Sequence, residues 1–303
     1  RRREVAALQH LFEAWRLHRL RGDPHDEAMV IDTLADVFLA SGRLVDAERL
    51  LRRAESLVRD VGAPRLRARL LLRLGDLHSL LGDFDEAEIH FGEALRLVDK
   101  AADRVTHAAA TIGRGQILVN RGLFDEAMPL LAQCLKDLGR EADGERVYVD
   151  ALVALASNFA LFARGEKLVL GGLRYAREAA EKAAAMGHWV ARIRAWVVQV
   201  RGLLTLERLD EATHALEQLE HVAGEALEVD PHLQRLTTEV AWCRFLVAQS
   251  RGAKAAAASA LTEAWQELKA QVAVLEGSGY ERGFLTNLIL HRELKQAVDT
   301  HAA

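Results

Sequence analysis

Proline, tyrosine and cysteine are scarce in this chain of 303 residues, which has four prolines, three tyrosines and two cysteines. Few prolines leave long stretches of backbone free to form helix, and good helix formers such as Ala, Leu, Arg and Glu dominate the composition. Cys134 and Cys243 both fall at apolar positions of predicted helices, which indicates buried thiols and a reducing compartment. We therefore expect a helical protein in the cytoplasm.

The chain also lacks features that would direct it to a membrane or to nucleic acid. No apolar run approaches the roughly 18 residues of a membrane-spanning helix, and the first residues lack the apolar core of a secretory signal. The net charge of −4 gives no overall electrostatic case for nucleic acid or an acidic membrane. Because the chain begins with Arg1 rather than Met, we expect it to be a piece of a longer polypeptide; the alternative is a processed chain, which would begin in the same way.

Small residues recur in the first half of the chain with a period of 40 residues. The recurring sets are Gly42, Gly82 and Gly122; Ala47, Ala87 and Ala127; and Ala54, Ala94 and Cys134. One unit is seen in the stretch 71–100, where apolar side chains at helical spacing lie on both sides of a break at Gly82 and Asp83. A fixed period of this length is typical of stacked helical hairpins.

The pattern predicts one solenoid domain over residues 1–303. It comprises a capping helix at 1–24, three regular repeats at 25–140, three degenerate repeats at 141–279 and a closing helix at 280–303. The only plausible hinge is Gly139 to Gly144. The stretch Gly165 to Gly172 is predicted to be a long turn. In the fifth repeat, Glu207 stands where the other turns have glycine.

Two further sets of residues fit this arrangement. Ala35, Gly75 and Gly115 are small residues within first helices, where they let a second helix approach closely. Asp83, Asp85 and Asp125 stand where a second helix begins, so we expect them to accept bonds from its free N–H groups and to have no catalytic role.

The pattern of Leu74-Gly75, His78, Gly82, Ala87, Phe91 and Ala94 resembles the tetratricopeptide repeat. The resemblance implies an all-α fold, a right-handed α-α superhelix of about six helical hairpins. The unit of 40 residues is longer than the usual 34 and is similar to units of bacterial signal-transduction ATPases and transcription regulators. In this family the first helices line a concave inner face that binds partners.

The resemblance also implies candidate binding residues, at the second and sixth positions after the Leu of each Leu-Gly pair. The candidates at these positions are Asp36, Asp76, Gln116, Asn120, Ser157, Arg201 and Thr205, and the sixth unit has Leu246 and Ser250 there. Among these, the side-chain amides of Gln116 and Asn120 are suited to bonding an extended peptide backbone. The alternative is that they are ordinary residues of a solvated helix face.

The sequence lacks recognisable motifs for catalysis, phosphate binding and metal binding. It has neither the Lys-Ser/Thr ending of a phosphate-binding loop nor the nucleophile elbow of a hydrolase. His214 and His221 lie seven residues apart on one predicted helix, but no third ligand is evident. The sequence therefore predicts no catalytic residues, no metal and no cofactor.

Arg65, Arg67, Arg69 and Arg73 form a basic stretch that has two interpretations. It is either a solvated helix side balanced by nearby acids or a site for an acidic peptide or phosphate. Aromatic residues for base stacking are absent there.

The leading hypothesis for function is a non-catalytic scaffold that binds a protein or peptide within a larger bacterial signalling or regulatory protein. The alternative is a small-molecule sensor coupled to an attached ATPase or DNA-binding module. Enzymatic activity and self-association of the repeats are the remaining possibilities, and we expect no enzyme, no direct contact with nucleic acid and no membrane.

Overall fold

The computed structural model describes residues 2–100, 103–139, 145–162 and 165–302, and these ranges form helices joined by short turns. The helices are α1 (Arg2–Arg21), α2 (Pro24–Ala40), α3 (Leu44–Val58), α4 (Pro64–Leu81), α5 (Phe84–Leu97), α6 (Arg104–Asn120), α7 (Phe124–Leu138), α8 (Glu145–Phe162), α9 (Glu166–Ala185), α10 (Trp189–Thr205), α11 (Leu209–Val229), α12 (Thr237–Ser250), α13 (Lys254–Ala273), α14 (Glu281–Thr286) and α15 (Ile289–Ala302). No strand occurs among the described residues, and the predicted all-α repeat fold is confirmed.

Consecutive helices pack in pairs, as the repeat pattern predicts. The pairs are α2 with α3, α4 with α5, α6 with α7, α8 with α9, α10 with α11 and α12 with α13. Below, the first member of each pair is called a first helix and the other a second helix. The capping helix α1 packs on α2, and the Nε1 of Trp15 donates to Glu27 Oε1 at 3.1 Å.

The chain forms two compact units, and the division falls within α6. Unit 1 is Arg1–Gly113 with Val274–Glu281, and unit 2 is Arg114–Ala273 with Arg282–Ala303. The single-domain organisation of the sequence analysis stays a prediction. The proposed hinge at residues 139–144 lies outside the described residues except for Gly139.

Small residues allow close packing where they were predicted. Ala47, Ala87 and Ala127 are fully buried. A Cβ added at Gly75 would lie 2.6 Å from the Phe91 ring, and one added at Gly115 would lie 2.5 Å from Leu131 Cδ2. Real Cβ atoms do not approach other atoms so closely, so each glycine sets the distance between a first helix and its partner.

The core of each unit consists of the apolar faces of paired helices. In unit 1 the largest fully buried side chains are Ile31, Leu34, Leu51, Leu70, Leu71, Leu74, Leu77, Leu81 and Phe91. In unit 2 a cluster includes Leu173, Ile193, Val200, Leu219, Val222 and Cys243. Each helix alone exposes one apolar stripe, and pairing buries it.

Three local predictions were wrong. Residues 165–172 are not a long turn, because α9 begins at Glu166 and a Cβ on Gly172 would lie 2.7 Å from the backbone nitrogen of Ala160. The closing helix is two helices with a break at Asn287 and Leu288. The Asp83 side chain does not cap α5; it lies 3.3 Å from His78 Nδ1.

The turns between the paired helices share one backbone conformation in five of the six pairs, and the α8–α9 turn includes residues outside the described ranges. One residue of each of these five turns has positive φ, which is Gly42, Gly82, Gly122 or Gly252 with values from 69° to 80°, and Glu207 takes the same place at 57°. The next residue donates its N–H back to the first helix, as Arg208 does to Leu203 O at 2.9 Å. This is the usual way to satisfy the last carbonyls of a helix, and it favours glycine.

Replacing Glu207 with glycine is therefore expected to stabilise the protein. A non-glycine residue in this conformation is strained by about 1–2 kcal/mol, and the extra freedom of glycine in the unfolded chain offsets roughly half of that. We expect Glu207→Gly to raise the free energy of unfolding by about 0.5–1 kcal/mol in urea titrations. Glu217→Gly in the interior of α11 is the control and should lower it by a similar amount; the same sign for both variants would contradict the prediction.

Candidate functional site

The predicted binding residues of unit 1 lie on first helices, and Asp36 is held in a network of ion pairs. Its carboxylate accepts two hydrogen bonds from Arg73, one at 2.9 Å between Nη2 and Oδ2. Arg73 Nε and Arg69 Nη2 each lie 2.9 Å from the buried carboxylate of Asp32. Asp76 is exposed on α4. Arg69 and Arg73 of the basic stretch are thus balanced by acids of α2, and Arg67 pairs with Glu55 of α3, as the first of its two interpretations predicts.

In unit 2, two of the predicted residues use their hydroxyl groups within their own helices. Ser157 Oγ donates to Val153 O at 2.8 Å, and Thr205 Oγ1 donates to Arg201 O at 3.1 Å. Such bonds to the preceding turn are common for serine and threonine in helices. Both remain on first helices, and Thr205 is exposed.

Asn120, at the end of α6, is bound to the C-terminal helix. Its Nδ2 donates to the Gln116 carbonyl at 3.0 Å, and its Oδ1 accepts from the backbone N–H of Ile289 at 3.1 Å. The Asn120 carbonyl accepts from Arg292 Nη2, also at 3.1 Å. Since the first N–H groups of a helix have no partner within it, Asn120 satisfies one of these at the start of α15.

Arg201, on α10, is bound to the same helix. Its Nη2 lies 2.8 Å and 2.9 Å from the two carboxylate oxygens of Glu293. The Arg201 side chain is only 16% exposed, so the contact is shielded from water. A charge-assisted pair in such surroundings is stronger than one on the open surface.

The far end of α15 meets a third first helix. The ring of His301 packs edge-on against that of Phe245 on α12, with centroids 5.6 Å apart. Between these contacts His291 and Leu294 are buried, whereas Arg292 and Lys295 are exposed. The helix α15 is therefore amphipathic; it packs on α13 and also contacts three first helices of unit 2 through Asn120, Arg201 and Phe245.

We call Asn120, Arg201 and Phe245 the docking face of unit 2. Asn120 and Arg201 were predicted from the repeat resemblance, and Phe245 was not. Apolar residues at helical spacing are visible in the last 20 positions of the sequence, but the pattern does not state which surface they cover. The residues that bind α15 are up to 172 positions away from it, as Asn120 and Arg292 are.

The predicted burial of both cysteines is confirmed. Cys134 is 5% exposed and Cys243 is fully buried. Burial raises the pKa of the Cys243 thiol to about 12, so this group stays protonated and unreactive at neutral pH.

The family comparison supports the repeat resemblance over the second and third helix pairs. Residues 66–140 match the tetratricopeptide repeat. The match covers α4 to α7, where the 40-residue period is clearest, and it confirms the resemblance seen in the sequence. No curated protein matches the chain by sequence.

Two solved structures match most of the chain. The apo form of RapI has a TM-score of 0.63 and 10% sequence identity, and the match covers 90% of this chain and 99% of that one. Acl4, an assembly chaperone of RpL4 solved as residues 1–338, has a TM-score of 0.41 and 15% identity, with 91% and 98% covered. The likeness to RapI shows a shared fold that extends beyond the residues matching the repeat. Within the described residues, no helix is both long enough and apolar enough to cross a membrane.

Proposed function

We propose that this chain is a non-catalytic scaffold that binds a helical segment of a partner protein on the docking face of unit 2. The observation that supports the proposal most directly is that this face already binds a helix, the chain's own α15. A surface that holds an amphipathic helix by its N-terminus, by a carboxylate and by an aromatic contact has the chemistry to hold another one.

The contacts define what the partner segment needs. Asn120 requires a free backbone N–H, as the first turn of a helix supplies. Arg201 requires a carboxylate one turn further on, in the place of Glu293. An apolar residue in the place of the buried Leu294 would face the protein. An amphipathic helix with an acidic residue in its second turn meets all three requirements.

In this proposal α15 is a competitor that the partner displaces. A segment tethered to its own binding site acts at an effective concentration of the order of millimolar. The apparent affinity for a partner is reduced by the fraction of molecules in which α15 is docked. The docking of α15 thus provides the regulation expected of a signalling protein. A partner binds only when its concentration and affinity are high enough to displace α15.

The experiment uses a labelled synthetic peptide of residues 287–302 as the partner helix. It is titrated by fluorescence anisotropy into the full chain and into its Glu293→Arg variant. The guanidinium introduced at position 293 would face that of Arg201, so the variant's own helix should dock less well and leave the face open. We expect the variant to bind the peptide at least ~10-fold more tightly than the unchanged chain, as loss of a shielded charge pair implies.

Two further variants make the experiment specific. Asp299→Arg makes the same change of charge on the exposed side of α15, and we expect it to leave peptide binding unchanged. Adding Arg201→Glu to Glu293→Arg restores the pair within the chain with its charges reversed, and peptide binding should fall again. Equal binding by the unchanged chain, Glu293→Arg and Asp299→Arg would refute the proposal.

A further inference from the structure

Two histidines and a glutamate of unit 1 converge in the helix pair α4–α5. They are His78 on α4 and Glu86 and His90 on α5. One ligand atom from each of the three lies within 4.8 Å of the other two. The imidazole centroids are 5.3 Å apart, and Glu86 Oε1 is 3.6 Å from His90 Nε2.

Both histidines are buried, and their ring nitrogens are poorly satisfied. His78 is 0% exposed and His90 is 7% exposed. Neither ring nitrogen of His90 has a hydrogen-bond partner, and Nδ1 of His78 has none with proper alignment. Because buried polar atoms without partners are rare and unfavourable, these nitrogens indicate a ligand.

A positively charged side chain already lies beside His78 and Glu86. Arg52 Nη2, from α3, lies 3.2 Å from His78 Nε2 and 3.1 Å from Glu86 Oε1. Its Nε also bonds Glu48 Oε1 at 2.7 Å, and that same oxygen is 3.6 Å from His78 Nε2. The Arg52 side chain is 46% exposed, so it is free to turn towards water and leave both carboxylates to another cation.

We propose that His78, Glu86 and His90 form a binding site for a divalent transition-metal ion such as Zn²⁺. Two imidazoles and a carboxylate are a ligand set that zinc accepts, and ligand atoms of a tetrahedral zinc ion lie roughly 3.3 Å apart. The three ligand atoms, now within 4.8 Å of one another, would have to close to that spacing around the ion. Glu48 is placed to be the fourth ligand, and the ion takes over the charge that Arg52 now supplies.

The sequence holds a signal for this site that is easy to pass over. Glu86 and His90 are four residues apart on one helix, so their side chains share a face. His78, by contrast, takes the place of the aromatic residue in the repeat pattern, and only the packing of α4 on α5 brings it to the other two. The proposed site would thus bind a metal ion in a chain for which the sequence analysis predicts none.

Zinc binding is tested on the full chain after removal of metal with a chelator. Zn²⁺ is titrated in competition with a chromophoric chelator, and Co²⁺ is used as a spectroscopic probe. We expect a single Zn²⁺ ion to bind, and Co²⁺ to give the visible absorption of a tetrahedral site. His90→Ala and Glu86→Gln should each weaken Zn²⁺ binding at least ~10-fold, since even indirect supports of a metal site contribute that much.

Arg52→Met separates this site from adventitious binding. If the guanidinium and the ion compete for the same carboxylates, this variant should bind Zn²⁺ more tightly than the unchanged chain. His221→Ala is the matched control. His221 follows Glu217 by four residues on α11, as His90 follows Glu86, but it is exposed and has no buried histidine beside it. It should bind Zn²⁺ as the unchanged chain does.

Several results would overturn the proposal. They are Zn²⁺ binding by Glu86→Gln as tight as that of the unchanged chain, weaker binding by Arg52→Met, or the loss of binding in His221→Ala. Glu86→Gln decides the question if His90→Ala does not fold, since the Glu86 side chain is 32% exposed and its replacement spares the core. The outcome is independent of peptide binding, which concerns residues of unit 2.

Discussion

Replacing Phe91 with alanine is expected to remove about 3–5 kcal/mol from the free energy of unfolding. Phe91, on α5, is fully buried, and its ring lies between two glycines of neighbouring first helices. A Cβ on Gly75 of α4 would be 2.6 Å from the ring, and a Cβ on Gly113 of α6 would be 2.3 Å from it. Truncation leaves a cavity that the helices cannot close without moving. Because a domain has only about 5–15 kcal/mol of stability, this single change should be visible as a large fall in the urea midpoint.

The two glycines make the cause of this loss testable with a double-mutant cycle. Gly75→Ala alone should destabilise the protein by about 1–3 kcal/mol, because the added methyl overlaps the ring. In the Phe91→Ala background the same methyl enters the vacated space, so Gly75→Ala should be neutral or stabilising there. Additive effects of the two changes would show that the glycine and the ring do not share one packing contact.

Gly92 provides the control for helix propensity. It lies next to Phe91 in α5, and a Cβ there would meet nothing within 4 Å. Gly92→Ala should therefore stabilise the protein by about 0.5–1 kcal/mol, the ordinary gain of replacing glycine in a helix. A loss of stability at Gly92 as large as that at Gly75 would contradict the packing explanation.

Much of the fold was predictable because it depends on local patterns that repeat. The 40-residue period of small residues places the helix pairs, and glycines at positive φ end the first helices at Gly42, Gly82 and Gly122. In the later repeats, the pattern wrongly predicts a turn at Gly172 because close helix packing and turn formation both require glycine.

The candidate sites were harder to predict because they depend on contacts between distant residues. The repeat pattern places Asn120 and Arg201 on first helices, but nothing local indicates that α15 covers them. The pairing of Glu86 with His90 is visible in the sequence, whereas the approach of Arg52 from α3 depends on packing. The repeat period shows on which face of a helix a residue lies, but tertiary contacts determine whether that face is exposed to solvent.

Charged residues in unit 1 show the same dependence on tertiary contacts, and they lead to a second large effect. Glu55, on α3, is buried, with its side chain 6% exposed. It accepts hydrogen bonds from Arg67 Nε on α4 at 2.8 Å and from Arg59 Nη2 on its own helix at 2.7 Å. Burial on its own raises the pKa of Glu55, but these two bonds and the arginine charges lower it below its ordinary value.

Arg67→Met is expected to lower the free energy of unfolding at pH 7 by about 2–3 kcal/mol. Methionine keeps the apolar stem of the side chain but leaves the buried carboxylate of Glu55 with one arginine partner, Arg59. Because Arg59 remains, the loss of stability is at or below the lower end of the range for broken buried ion pairs. Arg59→Met is the matched control on the same carboxylate. Its side chain is 58% exposed, against 23% for Arg67, so its loss should be clearly smaller.

The pH dependence distinguishes an electrostatic loss from a packing loss at Arg67. Because the folded-state pKa of Glu55 is depressed, the stability that it contributes is present above its unfolded pKa of about 4.3 and is lost as the pH falls through the folded value. Arg67→Met weakens that depression, so its free energy of unfolding should approach that of the unchanged chain as the pH is lowered below about 4. Urea titrations of both proteins between neutral and acid pH measure this difference. A difference that stays constant over the whole range would mean that Arg67 stabilises α3 and α4 through its apolar stem and not through the carboxylate of Glu55.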